Sequence, residues 1–119
     1  MKIAVSANGP DLQAQVDPRF GRAPYILLID ADKGEVEALS NAPNLQAAQG
    51  AGVQTAALVA RHQPAAVLTG NCGPKAFQIL EAAGIQVIVG VAGSVKEAVA
   101  AYQAGKYKPA RGPNVPGHW

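Results

Sequence analysis

The sequence predicts an α/β domain built on a five-stranded mixed sheet, and three observations carry that prediction. Tyr25-Ile26-Leu27-Leu28-Ile29 is almost continuously apolar, as a strand covered on both faces must be. The second half alternates short apolar runs, at 65–69 and 85–89, with stretches of helical periodicity, which is the pattern of strand–helix–strand units. Glycine or proline stands at nearly every change of period, where the chain has to turn.

Lys2–Ala7 reads as the first strand and stops at the turn signal Asn8-Gly9-Pro10. A polar connection, Asp11–Ala23, leads into the second strand at Tyr25–Ile29. Asp32-Lys33-Gly34 then turns the chain into Glu35-Val36-Glu37-Ala38-Leu39, whose alternation marks a half-exposed edge strand and hence a hairpin. Asn41–Gln49, with Pro43 and two asparagines, reads as loop. Val53, Ala56, Ala57 and Ala60 recur at i, i+3, i+4 and i+7, so a helix follows and ends before Pro64. Gly50 and Gly52 near its start weaken it but allow a close backbone neighbour. Ala65–Thr69 is the fourth strand. The second helix runs over 74–83 with Phe77 and Leu80 inward and Gly84 as its stop. Ile85–Val89 is the fifth strand. Ser94-Val95-Lys96-Glu97 is a capping-box pattern that opens a third helix, continued by Ala98, Val99 and Tyr102 to Gly105. Residues 1–107 are thus expected to form one domain, and 108–119, rich in proline and without a period, a flexible tail.

The order β-β-β-α-β-α-β-α contains two crossovers, which are right-handed between parallel strands. The hairpin makes the early strands antiparallel, and the expected sheet order is 3-2-1-4-5 with three helices on its faces. That order brings the C-terminal ends of strands 1, 4 and 5, together with the loop entering strand 2, to one rim.

At 119 residues the chain can bury one core without staples. No apolar run approaches the ~18 residues that span a bilayer, and Met1-Lys2-Ile3-Ala4-Val5 reads as strand rather than leader, so a cytoplasmic protein without membrane contact is expected. A net charge of +2, with no basic stripe interleaved with aromatics, argues against nucleic acid. The single cysteine, Cys72, excludes an internal disulfide and a cluster ligated by four thiolates of one chain. His62 and His118 form no zinc pattern.

The rim collects Asn8-Gly9-Pro10, Arg19-Phe20-Gly21-Arg22, Gly70 to Lys75 and Gly90 to Ser94. The crevice beside such strand ends is the usual ligand position in open α/β sheets. Gly73-Pro74 suits the start of a helix, whose N-terminal amides carry partial positive charge and attract anions. Lys75 stands in that first turn, where the dipole disfavours it, so binding explains it better than helix stability. Asn8, Arg19, Phe20, Gly21, Arg22, Gly70, Asn71, Cys72, Gly73, Lys75, Gly93 and Ser94 are therefore the candidate residues for a bulky anion with some apolar surface.

Asp17-Pro18-Arg19-Phe20-Gly21-Arg22-Ala23 entering a strand, Gly50-Ala51-Gly52, Thr69-Gly70-Asn71-Cys72-Gly73-Pro74-Lys75-Ala76-Phe77 and Gly93-Ser94-Val95-Lys96-Glu97-Ala98 occur in this order. Together they resemble the dinitrogenase iron–molybdenum cofactor biosynthesis family, over roughly residues 1–107. The resemblance implies a ribonuclease-H-like sheet and a role in binding or carrying metal–sulfur cofactors. It is nearest to the small stand-alone members, the orange protein type, which hold a molybdenum–copper sulfide cluster without covalent ligation. Some members carry a histidine before the Phe-Gly of the first motif. Here that position is Arg19, which cannot ligate but can pair with a sulfide-rich anion; this favours such a cluster over the iron–molybdenum cofactor.

Each residue also has a plainer reading. Cys72 is a metal ligand activated by a helix N-terminus, or a small buried side chain in a turn. Arg19 and Arg22 clamp the anion, or pair with Asp11 and Asp17. Phe20 lines the pocket or anchors its loop; the glycines serve turn geometry as well as contact; and His62 caps a helix C-terminus. Three functions compete: a non-enzymatic cluster carrier, a nuclease or phosphate-ester hydrolase, and a protein–protein interaction module without a cluster. Two-metal hydrolysis needs carboxylates on central strands. Lys2–Ala7 has none and Asp30 lies at the far end of its strand, so the enzyme is disfavoured.

Overall fold

A computed structural model describes residues 1–45 and 50–116. Lys2–Ala7 (β1) lies at the centre of a five-stranded sheet, every residue after Lys2 buried. Tyr25–Asp30 (β2) pairs with it antiparallel, and Glu35–Ser40 (β3) pairs with β2 as the other arm of the hairpin. On the opposite side of β1, Ala66–Leu68 (β4) and then Gln86–Ile88 (β5) add in parallel. The order β3-β2-β1-β4-β5 is the one the sequence predicts.

The period-2 alternation of the strands divides the core in two. Ala4, Ile26, Leu28, Val67 and Val87 face Ala51–His62 (α2) and Pro74–Ala82 (α3), whose Ala56, Val59, Phe77 and Leu80 complete that layer. Ile3, Val5, Leu27, Leu68 and Ile88 face the other way, against Val95, Ala98 and Val99 of Val95–Gln103 (α4). No helix among the described residues is long and apolar enough to cross a membrane.

The ends of the elements follow their local chemistry. Asp30 Oδ1 accepts from the amides of Asp32 and Lys33, and Gly34 takes a positive φ to close the hairpin. Ser94 and Glu97 form both halves of the expected capping box. Gly84 follows α3 with a φ of 76°. The end of α2 differs from expectation. Gln63, not His62, closes it, taking a left-handed conformation and donating its amide to the Ala60 carbonyl.

Residues 41–45 also differ from expectation, because Ala42–Leu45 (α1) forms one helical turn where the sequence reads as loop. Pro43 fits the first turn, where its missing N–H removes no helical bond. Asn41 fastens the turn to the fold. Its buried side chain donates to the Ala23 carbonyl at 2.8 Å and accepts from Asn44 and Thr55 at 2.7 and 3.2 Å. The remainder of that loop, 46–49, lies outside the described residues, as do His118 and Trp119.

Candidate functional site

The four rim segments are sewn together by backbone hydrogen bonds. Asp17 donates to the Ser6 carbonyl at 2.8 Å and Val16 to that of Gly93 at 2.9 Å. Gly90 and Val91 donate to Gly70 and Thr69 at 2.8 and 3.1 Å. Inside this seam the hydroxyls of Ser6 and Thr69 lie 2.7 Å apart, both fully buried, and Ser6 also donates to the Asp17 carbonyl. Neither residue is among the candidate site residues the sequence points to, although Thr69 opens the motif that leads to Lys75. The only hint of either is a hydroxyl interrupting an otherwise apolar strand.

The Arg19 loop is fastened to the Cys72 loop. Arg19 and Asn71 form an isolated parallel bridge, with Phe20 N–H donating to the Asn71 carbonyl at 3.2 Å, and beside it the Asn71 side-chain Nδ2 donates to the Pro18 carbonyl at 2.7 Å. The Asp17 carboxylate accepts from the Arg19 amide at 2.9 Å and holds the turn. Phe20, in a single 3-10 turn over Phe20–Arg22, is 2% exposed and packs with Ala76, Phe77 and Cys72, so its role is to anchor the loop. Gly21 is required by contact, since a Cβ there would sit 2.7 Å from the Cα of Gly52 in α2. The arrangement places the Arg19 backbone beside Asn71, and Lys75 lies in the first turn of the helix into which the Asn71 loop leads.

The cations are not equivalent. Arg19 and Lys75 are exposed, and neither takes part in an ion pair among the described residues, whose ion pairs all involve the N-terminal ammonium. Arg22 is half-buried and reaches the Leu45 carbonyl at the end of α1, 3.4 Å away.

The two helix N-termini also differ. At α4 the amides of Val95 and Lys96 donate to the carbonyls of Ala14 and Leu12 at 2.9 and 3.0 Å, and Ser94 Oγ accepts from the Glu97 amide. That end is satisfied from within the protein. Asn8 closes the same loop, its Oδ1 accepting from the Gln15 amide at 3.1 Å. At α3, Gly73 is the N-cap without a side-chain capping bond and Pro74 fills the first position. The amides of Lys75 and Ala76 have no acceptor among the described residues. This end keeps its capacity for an anion.

Cys72 is 1% exposed and lies in the core layer with Phe20 and Phe77. Burial pushes its thiol up to about 12, and among the described residues the Sγ finds only the Gly73 carbonyl, 3.7 Å away. Desolvation outweighs any lowering by the helix end, so the free thiol is neutral at physiological pH. Among the described residues no group of three or more His, Cys, Asp or Glu could hold a metal ion. The shallow hollow between Lys2, Asp30, Glu35 and Glu37 lies at the opposite end of the sheet and is acidic, the wrong sign for an anion.

Asn114 is the residue the sequence reading missed entirely. It lies in the stretch expected to be a loose tail, among prolines that offer no signal, yet its amide donates to the Cys72 carbonyl at 3.1 Å. Its Oδ1 accepts from the Cys72 amide at 2.8 Å, and its Nδ2 reaches Asn71 Oδ1 at 3.1 Å and the Gly70 carbonyl at 3.4 Å.

The sequence and the fold have relatives among known proteins. The family model described as dinitrogenase iron-molybdenum cofactor matches residues 1–105. The apo form of the orange protein from Desulfovibrio gigas superposes with a TM-score of 0.93 at 42% identity, covering 96% of each chain. A NifB-type protein from Thermotoga superposes with a TM-score of 0.78 at 30% identity, covering 91% of each chain. An uncharacterised protein of Methanocaldococcus jannaschii is 28% identical over 109 residues, 89% of this chain and 88% of the relative.

Proposed function

Because the chain belongs to the dinitrogenase iron-molybdenum cofactor family, a family of cofactor-binding rather than catalytic type, we propose that it binds and carries an anionic metal–sulfur cluster at the rim. The observation that carries this reading is the pairing of the exposed Arg19 loop with the Asn71 loop that leads into the open N-terminus of α3. Two exposed cations, Arg19 and Lys75, and the Lys75 and Ala76 amides belong to these joined segments. The donor set suits the outer sulfides of a thiometallate, the heavier analogues of oxyanion oxygens, rather than a bare cation that needs carboxylate or imidazole ligands.

The cargo of this reading is a molybdenum–copper sulfide cluster, with the iron–molybdenum cofactor the less favoured candidate. It is held by charge, amide donors and shape. Arg19 and Lys75 supply the charge, and the amides of Lys75 and Ala76 orient the outer sulfides. Phe20, Gly21, Gly70 and Asn71 hold the two loops in register. Asn8, Arg22, Gly93 and Ser94 shape the surrounding rim, and Cys72 keeps the α3 entry in place as a buried thiol. The unit that does this is the domain of residues 1–107 together with the strap that brings Asn114 to the rim, acting in the cytoplasm.

Reconstitution tests the proposal. The purified protein is incubated with tetrathiomolybdate and cuprous ion, desalted, and examined for molybdenum, copper and sulfide-to-metal absorption. The expected result is a coloured protein that keeps both metals and loses them when Arg19→Gln and Lys75→Gln are combined. A colourless product without retained metal would overturn the proposal.

A further inference from the structure

The segment after α4 crosses the free side of β5. Tyr107 packs on the layer that α4 covers, Ala110 packs on the layer that α2 and α3 cover, and the Ala110 amide donates to the Val87 carbonyl at 2.7 Å. The strap therefore passes from one face of the sheet to the other around its edge and delivers Asn114 to the rim. This segment lies beyond residues 1–105, the part that the family model matches.

Asn114 does more there than end the strap. One amide side chain and its own backbone engage three consecutive residues, Gly70, Asn71 and Cys72. The contact with Asn71 has a direction. Asn114 Nδ2 donates to Asn71 Oδ1, which turns Asn71 Nδ2 toward the Pro18 carbonyl, 2.7 Å away. The reverse orientation of the Asn71 amide would set donor against donor at one end and acceptor against acceptor at the other. The residue after Pro18 is Arg19, and the helix reached from Cys72 carries Lys75.

We infer that Asn114 is a positioning residue for the rim site: through an Asn114–Asn71–Pro18 amide relay it sets the spacing of the Arg19 and Lys75 loops, and with it the affinity for a thiometallate anion. The inference rests on the proposed function for its ligand, but not for its structural half. A relay of neutral amides adds no charge to the site, so its effect on an anion comes through geometry alone. Losing the orienting bonds is worth about a factor of ten in affinity.

The test uses the full chain and tetrathiomolybdate as the probe. Asn114→Ala is expected to bind it about tenfold more weakly than the wild type, with an unchanged salt dependence of binding, because no charge is lost. In the absence of any ligand, amide exchange gives a second reading. In Asn114→Asp the acceptor for the Cys72 amide remains while the donor to Asn71 is gone. The Cys72 amide should stay protected, whereas the Phe20 amide, which bonds Asn71 across the two loops, should exchange about tenfold faster. Wild-type affinity in Asn114→Ala, with the wild type binding, would overturn the inference and leave cluster binding standing. Wild-type protection at Phe20 in Asn114→Asp would overturn the relay whether or not the protein binds any anion. A wild type that fails to bind, with Phe20 deprotected in the variant, would remove the ligand and keep the relay.

Discussion

Gly70 lies against Pro18 so closely that a Cβ on the glycine would stand 2.7 Å from the proline Cα and 2.9 Å from its carbonyl oxygen. Both neighbours are backbone, and the Asn71 bond to the same carbonyl holds them there. Gly70→Ala is therefore expected to cost about 2–3 kcal/mol. Gly112→Ala, where a Cβ meets nothing among the described residues, should stay within about 0.5 kcal/mol of the wild type. Urea denaturation of the two variants checks the contrast.

Arg19 and Lys75 are exposed, unlike the half-buried Arg22. Arg19→Gln and Lys75→Gln should each weaken tetrathiomolybdate binding about tenfold, the loss of one charge-assisted contact. Arg22→Gln should have a smaller effect on binding and a larger one on stability, through the Leu45 carbonyl. Isothermal titration of the three variants, repeated at raised salt to screen the exposed charges, separates these roles.

Cys72 gives a pH dependence with a definite sign. Its folded thiol is pushed up to about 12 by burial, above the 9.0 of an ordinary thiol. The folded state keeps the proton where the unfolded chain has lost it. This contribution is intact below pH 9 and is lost as pH rises from about 9 toward 12, at about 1.4 kcal/mol per pH unit. Denaturation of the wild type and of Cys72→Ala across that range isolates the effect, because other titrating groups cancel. Cys72→Ala should also retain thiometallate binding.

Ser94 and Glu97 cap α4 without reference to any ligand. Ser94→Ala should cost about 1 kcal/mol of stability. The Ser94 hydroxyl and amide hold the Glu97 carboxyl below its ordinary range. A depressed carboxyl stabilises the fold above that range and loses the effect as pH falls through it. The stability gap between wild type and Ser94→Ala should accordingly narrow in acid, as thermal melts at pH 7 and pH 3 would show.

The sheet order, the capping box and the gathering of the rim were legible because each rests on short-range pattern: apolar period, turn residues and crossover handedness. Tyr25–Ile29 announced a central strand, and Gly73-Pro74 a helix start. What escaped depends on partners distant in sequence. Asn114 bonds a residue 42 positions away, and nothing in its proline-rich surroundings marks it. Gly21 reads as a turn glycine until Gly52 is seen against it. The depth of Cys72 is set by Phe20 and Phe77 closing over it, and the occupied α4 end by carbonyls of the Leu12–Ala14 loop. The hydroxyl pair of Ser6 and Thr69 exists only once β1 and β4 are neighbours.

Backbone amide shifts on titration with tetrathiomolybdate test the central claim most directly. The largest changes are expected at Arg19–Phe20 and Asn71–Ala76, on the two joined loops. Changes centred elsewhere, such as the hairpin turn at Asp32–Gly34 or the outer face of α4, would contradict it, and so would the absence of any change.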